Sequence, residues 1–453
     1  MNKQGRFTGM FAFTLVSIGQ AISLVGSGMT QFAITIWAWQ ETGQATTLAL
    51  TGFFGFAPVV LISPFAGALV DRLNRKLVMM LSDFAAGLGT IALFALFLSD
   101  NLQIWHLYIL GAFVGVFQAF QWPAYSAAIT MMLPKEQYAR ANGMLELARS
   151  SSRVLAPVLA GALIGLSGLS LIFIIDIVTF LFAIGSLLLI YVPQPETSPE
   201  GRSGSGSLWK EAGFGFKYIW DRPSLFGLQM VFFFLNLSAM FGFTVMAAMI
   251  LARTQNDTVI LGSVQSAGAI GGVVGGLLLS IWGGPKRRIH GVLLGMITVS
   301  IFHTTLMGIG RSMTLWGIAT FFGGLIIPMI NGSNQAIWQA KIPPDVQGRV
   351  FSVRRLIAQV TAPIAMLLAG PLADYVFEPA MEEGGSLIPI FGDIVGTGPG
   401  AGMASMFIIA GILGVIVGIG GYSFPGGGGG VTMRWIKLGN LHLQSRVRNE
   451  QHS

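Results

Sequence analysis

A chain of 453 residues with only 10% charged and 53% hydrophobic residues, and a mean hydropathy of +0.70, cannot clothe a soluble globule, which usually carries about 25% charged residues. The net charge of +7 does not point to nucleic acid, because the cations sit in short loops between apolar runs, where anionic lipid is the simpler partner. The absence of cysteine excludes disulfides, thiolate chemistry and thiolate metal sites.

A membrane-crossing helix needs about 20 apolar residues. Twelve segments qualify, near 9–37, 46–70, 77–98, 105–132, 143–166, 169–192, 224–252, 259–283, 289–310, 314–340, 351–377 and 401–424. The first is too long for a signal-peptide core and is read as a retained span. Of the 26 lysines and arginines, all but Arg253 and Arg311 fall at the termini, in the even-numbered gaps or, for Arg149, Arg153, Arg354 and Arg355, in the near halves of the spans that follow those gaps. The positive-inside rule then places both termini in the cytoplasm and the chain in the cell (inner) membrane as a multi-pass protein.

Residues 193–223 separate the sixth and seventh spans. Their core, PETSPEGRSGSGS, is polar and rich in Pro, Gly and Ser, as expected of a flexible linker. The following LWKEAGFGFKYIWDRP suits a helix lying in the interface. The halves repeat at a constant offset of 209 residues: Arg140 maps on Arg349, Leu159-Ala160-Gly161 on Leu368-Ala369-Gly370, and Gly67 on Gly276. The expected organisation is a first six-helix bundle (1–192), a linker (193–223), a second bundle (224–424) and a cytoplasmic tail (425–453). Parallel six-span repeats mark one class of secondary transporter.

After span two the chain reads Gly67-Ala-Leu-Val-Asp71-Arg72-Leu-Asn74-Arg75-Lys76. This resembles the signature loop of the major facilitator superfamily, with Asn74 where glycine is usual; asparagine accepts left-handed backbone angles better than most residues. In the second copy Ser280 replaces the aspartate. Gly67 is expected to let two helices approach, while Asp71 caps a helix end or pairs with a cation, and Arg72, Arg75 and Lys76 anchor the loop to the inner leaflet. The block from Pro123 through span five is similar to the macrolide-efflux and enterobactin-exporter branch of that superfamily. Its Ala156-Pro157 and Gly161 occupy the span-five element associated with antiporters. The resemblance implies twelve transmembrane helices in two pseudo-symmetric six-helix bundles, an all-α integral membrane fold. Many proton-coupled drug exporters carry an arginine inside span four; this span has none.

Polar side chains recur on single helical faces. Span four presents Gln118, Gln121, Trp122 and Tyr125, and span ten presents Asn331, Asn334, Gln335 and Trp338, both at i, i+3, i+4, i+7. Gln20 and Gln31 in span one and Asn236 in span seven add to the set. Amides facing lipid are costly, so these faces are expected either to line a wet pathway or to bond between helices. The resemblance assigns spans one, four, seven and ten to the pathway. Amides, aromatics and methionines without fixed charge suit bulky amphipathic solutes better than sugars or ions.

Intramembrane charges are functional candidates. Asp83 in span three, Asp176 in span six, and Glu146, Arg149 and Arg153 on one face of span five are read as coupling charges, or as ion pairs and hydrogen bonds that hold the bundle. The glycines of span eight, Gly268 to Gly276, suit close helix packing, and no phosphate loop follows them. No cofactor, metal site or catalytic constellation is expected, so the chain is not read as an enzyme. The reading is a secondary active exporter of amphipathic, drug- or macrolide-like compounds, working by alternating access and proton antiport, monomeric, with lipids and protons as partners. A dedicated exporter of a metabolite such as a siderophore, or a lipid flippase, is the alternative.

Overall fold

The computed structural model describes residues 7–134, 137–192, 208–342 and 347–423. The linker core and the tail at 425–453 lie outside the described residues, as do the side chains of Asp71, Arg72 and Trp122 and the surroundings of Gly67.

The apolar runs become helices: α1 (Gly9–Thr42), α2 (Ala45–Arg72), α3 (Arg75–Leu98) and α4 (Ile104–Met132). The helical stretch Tyr138–Leu189 holds 52 residues. Straight, it would measure about 78 Å at 1.5 Å per residue, against a hydrocarbon core of about 30 Å. It turns back at Gly168, whose φ of 70° and ψ of −168° suit only glycine. The two arms are α5 (138–167) and α6 (169–189).

The second half contains α7 (Leu208–Trp220), α8 (Pro223–Arg253), α9 (Thr258–Trp282), α10 (Arg288–Val299), α11 (Met313–Lys341), α12 (Gln347–Leu372), α13 (Ile388–Val395) and α14 (Ala401–Gly420). A π-helical turn, Ser300–Thr305, prolongs α10 to Ile309, and another, Ala373–Phe377, prolongs α12. Among the described residues eleven helical stretches are long and apolar enough to cross a membrane, and the turn at Gly168 divides one of them to make twelve spans. Exposed side chains such as Leu61 (70%), Leu166 (83%) and Ile281 (85%) give the molecule the apolar exterior that lipid requires.

Because successive spans alternate in direction, the connections after α2, α4, α6, α9 and α11 share one end, the basic end, and the remaining loops share the far end. At the basic end, Tyr191 donates its backbone N–H to the Phe7 carbonyl at 2.9 Å, tying the start of α1 to the end of α6. Lys76 donates to the carbonyls of Ile190 (2.7 Å) and Leu188 (3.3 Å). A cation thus meets the negative end of the α6 dipole. Asn74 is not left-handed as expected; with φ −66° it caps α3, accepting from the Leu77 N–H at 3.2 Å.

Backbone-to-backbone packing joins α9 to α11. A Cβ at Gly271 or Gly275 would stand 2.1 Å from the carbonyl oxygen of Phe321 or Leu325, so the glycine run of span eight is a packing seam. Gly324 lies on Gly268 and its repeat partner Gly115 lies on Gly55 in the first half, so this repeated glycine makes a close helix contact in both bundles, one turn apart along the partner helix.

The long segment after α12 is an ordered cap on the far end. Glu378 accepts from the N–H groups of Gly400 (3.1 Å) and Met403 (2.8 Å) at the start of α14. Arg253 donates to the carbonyls of Val395 (2.8 Å) and Gly310 (3.1 Å), and Arg311 to that of Ile394 (3.1 Å). The two cations that break the charge alternation are thus bound to carbonyls at the C-terminus of α13.

Candidate functional site

A cavity of about 880 Å³ lies between the two six-helix bundles. The first bundle contributes Ser63 of α2, Gln118 of α4 and Arg149 of α5; the second contributes Gln229 and Asn236 of α8, Asn331, Asn334 and Gln335 of α11, and residues 351–356, 358 and 359 of α12. Most of these residues belong to the basic-end halves of their helices. Gln118 and Asn331 are exposed to it. Asn334 is buried, with an Oδ1 that lacks a hydrogen-bond partner among the described residues.

The wall is not uncharged, as the amide pattern had suggested. Arg149, Arg354 and Arg355 line it, and Arg354 donates to Gln335 Oε1 at 2.7 Å with its guanidinium 5.2 Å from the Trp338 ring centre. Arg354, Arg355 and Gln359 are site residues that the sequence did not single out, because cations near a cytoplasmic loop satisfy the positive-inside rule without further explanation. Trp338 is 1% exposed and Tyr125 6%, and both belong to the packed core.

A second polar cavity, of about 530 Å³, lies within the first bundle and shares Gln118 with the central one. It contains both buried aspartates. Asp83 accepts from Gln121 Nε2 at 2.7 Å and from Gln20 Nε2. Asp176 accepts from Ser27 Oγ (3.0 Å) and Thr90 Oγ1 (2.8 Å). Gln20 and Ser27 are both on α1, and Asp83 and Thr90 are both on α3, each pair two turns apart. The two carboxylates therefore form a column between α1 and α3, spaced by about 10 Å at 1.5 Å per residue. These hydrogen-bond partners are uncharged. Gln31 lines the same cavity. Glu146 and Arg153 are exposed on α5, outside both linings.

The far end is sealed between the bundles. A Cβ at Gly161 would stand 2.7 Å from the Thr258 carbonyl oxygen, and the Thr258 hydroxyl donates to the Gly161 carbonyl at 2.9 Å. A Cβ at Gly262 would stand 2.4 Å from the Pro157 carbonyl oxygen. Pro157 and Gly161 therefore form the α5–α9 crossing. Gly370, 209 residues after Gly161, makes the matching α12–α2 crossing, where a Cβ would stand 2.6 Å from Thr46 Cα. Trp39 Nε1 donates across the bundles to Asn256 Oδ1 at 2.8 Å. Of the signature loop, Arg75 and Lys76 are at the basic end, while the side chains of Asp71 and Arg72, and the surroundings of Gly67, lie outside the described residues.

A model of the Major Facilitator Superfamily matches residues 16–374. The chain belongs to the major facilitator superfamily. It is 29% identical over 382 residues to macrolide efflux protein A of Streptococcus pyogenes, covering 80% of this chain and 90% of that one. It is 26% identical over 364 residues to the multidrug efflux pump Tap of Mycolicibacterium fortuitum, covering 77% and 86%. Among solved structures it resembles a bacterial homologue of the human lysosomal transporter Spinster in an inward-facing, unoccupied conformation, with a TM-score of 0.67 and 16% identity over 93% of this chain and all of that one. The superfamily protein is thus a multi-pass membrane transporter that resembles the macrolide-efflux branch, with the twelve-helix fold expected of it.

Proposed function

We propose that this transporter exports amphipathic organic compounds, drug- and macrolide-like molecules among them, by alternating access. The observation that carries the reading is the central cavity, walled by both bundles in their basic-end halves and closed beyond by the crossings at Gly161 and Gly370. With the basic loops and both termini in the cytoplasm, this is an inward-facing state that receives its load from the cell. The bundles, divided by the 193–223 linker, rock about the bound solute to open the far end. Similarity to efflux proteins supports outward transport. Gln118, Asn236, Asn331, Asn334 and Gln335 line the path, and the protein acts as a monomer among lipids.

Coupling is to protons. Asp83 and Asp176 are the carriers, because a buried carboxylate bonded to neutral donors gains a proton without breaking an ion pair. Uptake of a macrolide into inverted vesicles tests the reading. Accumulation that needs a proton gradient and stops on adding a protonophore supports it; accumulation indifferent to the gradient removes proton antiport, and absence of uptake for a panel of amphiphiles removes export.

A further inference from the structure

The cavity within the first bundle contains Asp83 and Asp176, and among the described residues that line it there is no lysine, arginine or histidine. Two carboxylates thus share a space walled by uncharged side chains, where a negative charge is costly unless a proton or a cation meets it. Their partners differ in kind. Asp83 is met by the amide N–H groups of Gln20 and Gln121, which donate and offer no lone pair. Asp176 is met by hydroxyls, those of Ser27 on α1 at 3.0 Å and of Thr90 on α3 at 2.8 Å. A hydroxyl can turn its lone pairs to a cation. Thr30 follows Ser27 by one turn on the same face of α1 and lines the same cavity. It is 5% exposed, and its Oγ1 stands beside the Asp176 carboxylate without meeting hydrogen-bond geometry to any described residue. Asp176 is 2% exposed, whereas Ser27 is open to the cavity, which leaves a route to the carboxylate past its hydroxyl. At the α1–α6 crossing a Cβ on Gly26 would collide with the Thr179 hydroxyl and stand 3.1 Å from Asp176 Cα. That glycine lets α1 bring Ser27 and Thr30 against the carboxylate.

We propose that Asp176, Ser27, Thr30 and Thr90 form a binding site for a sodium ion. One carboxylate balances one positive charge, which selects a monovalent ion, and an all-oxygen set suits a hard cation. Oxygens that share a cation of about the size of calcium or sodium at about 2.4 Å stand about 3.4 Å from one another across a right angle. The contacts of 2.8 and 3.0 Å therefore open by about 0.5 Å to admit the ion. Water from the cavity completes the shell. The inference goes beyond the transport reading by adding a second occupant to a carboxylate that the coupling reading gives to a proton, and either occupant leaves that carboxylate neutral. α1 faces Asp176 with Ser27 and Thr30 and α3 faces it with Thr90; the one other titratable group among the described lining residues is Asp83, two turns away along α3.

Binding of radioactive sodium to the purified full-length protein tests this, read by scintillation proximity in choline chloride at mildly alkaline pH, where protons compete least. Saturable binding to a single class of site is expected. Asp176→Asn should abolish it. Thr30→Val keeps the shape and removes one ligand, and should weaken binding by about tenfold or more, the scale of loss when a metal site is disturbed. Asp83→Asn should keep it. The parent should also unfold at a higher temperature in sodium chloride than in choline chloride, because an ion bound only by the folded state stabilises that state. No saturable binding to the parent overturns the proposal, as does binding that survives unchanged in either Thr30→Val or Asp176→Asn, or that is lost equally in Asp83→Asn. Binding is read without transport: its absence sinks this inference alone, whereas failure of proton-driven uptake in sodium-free vesicles sinks the coupling reading alone.

Discussion

The Asp374 carboxylate, on the π-helical turn that prolongs α12, caps the first turn of α2 in the opposite bundle, accepting the N–H of Thr46 at 2.7 Å and that of Ala45 at 2.9 Å. An anion at a helix N-terminus meets unpaired donors and the positive end of the dipole. In the proposed alternating-access cycle the two partners belong to bodies that separate when the far end opens, which makes the cap a latch. The position 209 residues earlier is Gly165, which offers no equivalent, and the latch therefore exists on one of the two symmetric crossings only.

Asp374→Asn keeps the shape but removes the charge. A loss of about 1–2 kcal/mol corresponds to a roughly 5- to 30-fold shift in a two-state ratio. The chain has no natural cysteine, so Ala49→Cys, at the sealed α12–α2 crossing, reports the far end without background. Its labelling from the far side should accelerate several-fold in Asp374→Asn. An unchanged labelling rate would mean that the cap does not hold the seal.

Gly161 and Gly370 are symmetric partners, and a side chain at either collides with backbone of the other bundle. Gly161→Val and Gly370→Val should each leave a folded, monodisperse protein whose transport falls by about tenfold or more, because the far end no longer closes; inserting bulk at a tight contact costs about 1–3 kcal/mol. Transport at the parental level in both variants would contradict the role given to the crossings.

Asp83→Asn retains hydrogen-bonding capacity towards Gln20 and Gln121, since a glutamine amide can turn to present its oxygen. The variant should fold like the parent, yet its gradient-driven uptake in inverted vesicles should fall by about tenfold or more, since the lost group is the proposed proton carrier. Full gradient-driven uptake by both Asp83→Asn and Asp176→Asn would exclude these aspartates from coupling.

Arg253 and Arg311 hold the C-terminal carbonyls of α13. Hydrogen bonds from a charged group contribute about 1.5–3 kcal/mol. Arg253→Gln should therefore lower thermal stability by several degrees and speed proteolysis within residues 381–400. Unchanged proteolysis would show that α13 is held by its apolar contacts instead.

The twelve spans were legible because both signals that define them are local: a run of apolar residues long enough to cross the bilayer and cations at alternate ends. The turn at Gly168 fell where the hydropathy pattern divided 143–166 from 169–192, although the helix is otherwise continuous there. Side-chain destinations were less legible. Gln118 and Tyr125 share one face of α4, but Gln118 opens to the cavity while Tyr125 is packed where helices converge, and Asn331 and Trp338 diverge in the same way on α11. A helical stripe states which residues point together, not how far along its length the neighbouring helix closes in. Arg354 read as a loop charge until the start of α12 at Gln347 put it two turns inside the helix. The cap that Asp374 places on Thr46 joins residues 328 positions apart, which no local pattern reports.

A single cysteine in place of Asn331, introduced into the cysteine-free chain and exposed to a membrane-impermeant thiol reagent in inverted and in right-side-out vesicles, tests whether an aqueous cavity between the bundles opens to the cytoplasm. Rapid labelling in inverted vesicles, slow labelling in right-side-out vesicles and protection by a transported compound are the expected results. Labelling only by a lipid-soluble reagent, or equally fast labelling from both sides without protection, would contradict it.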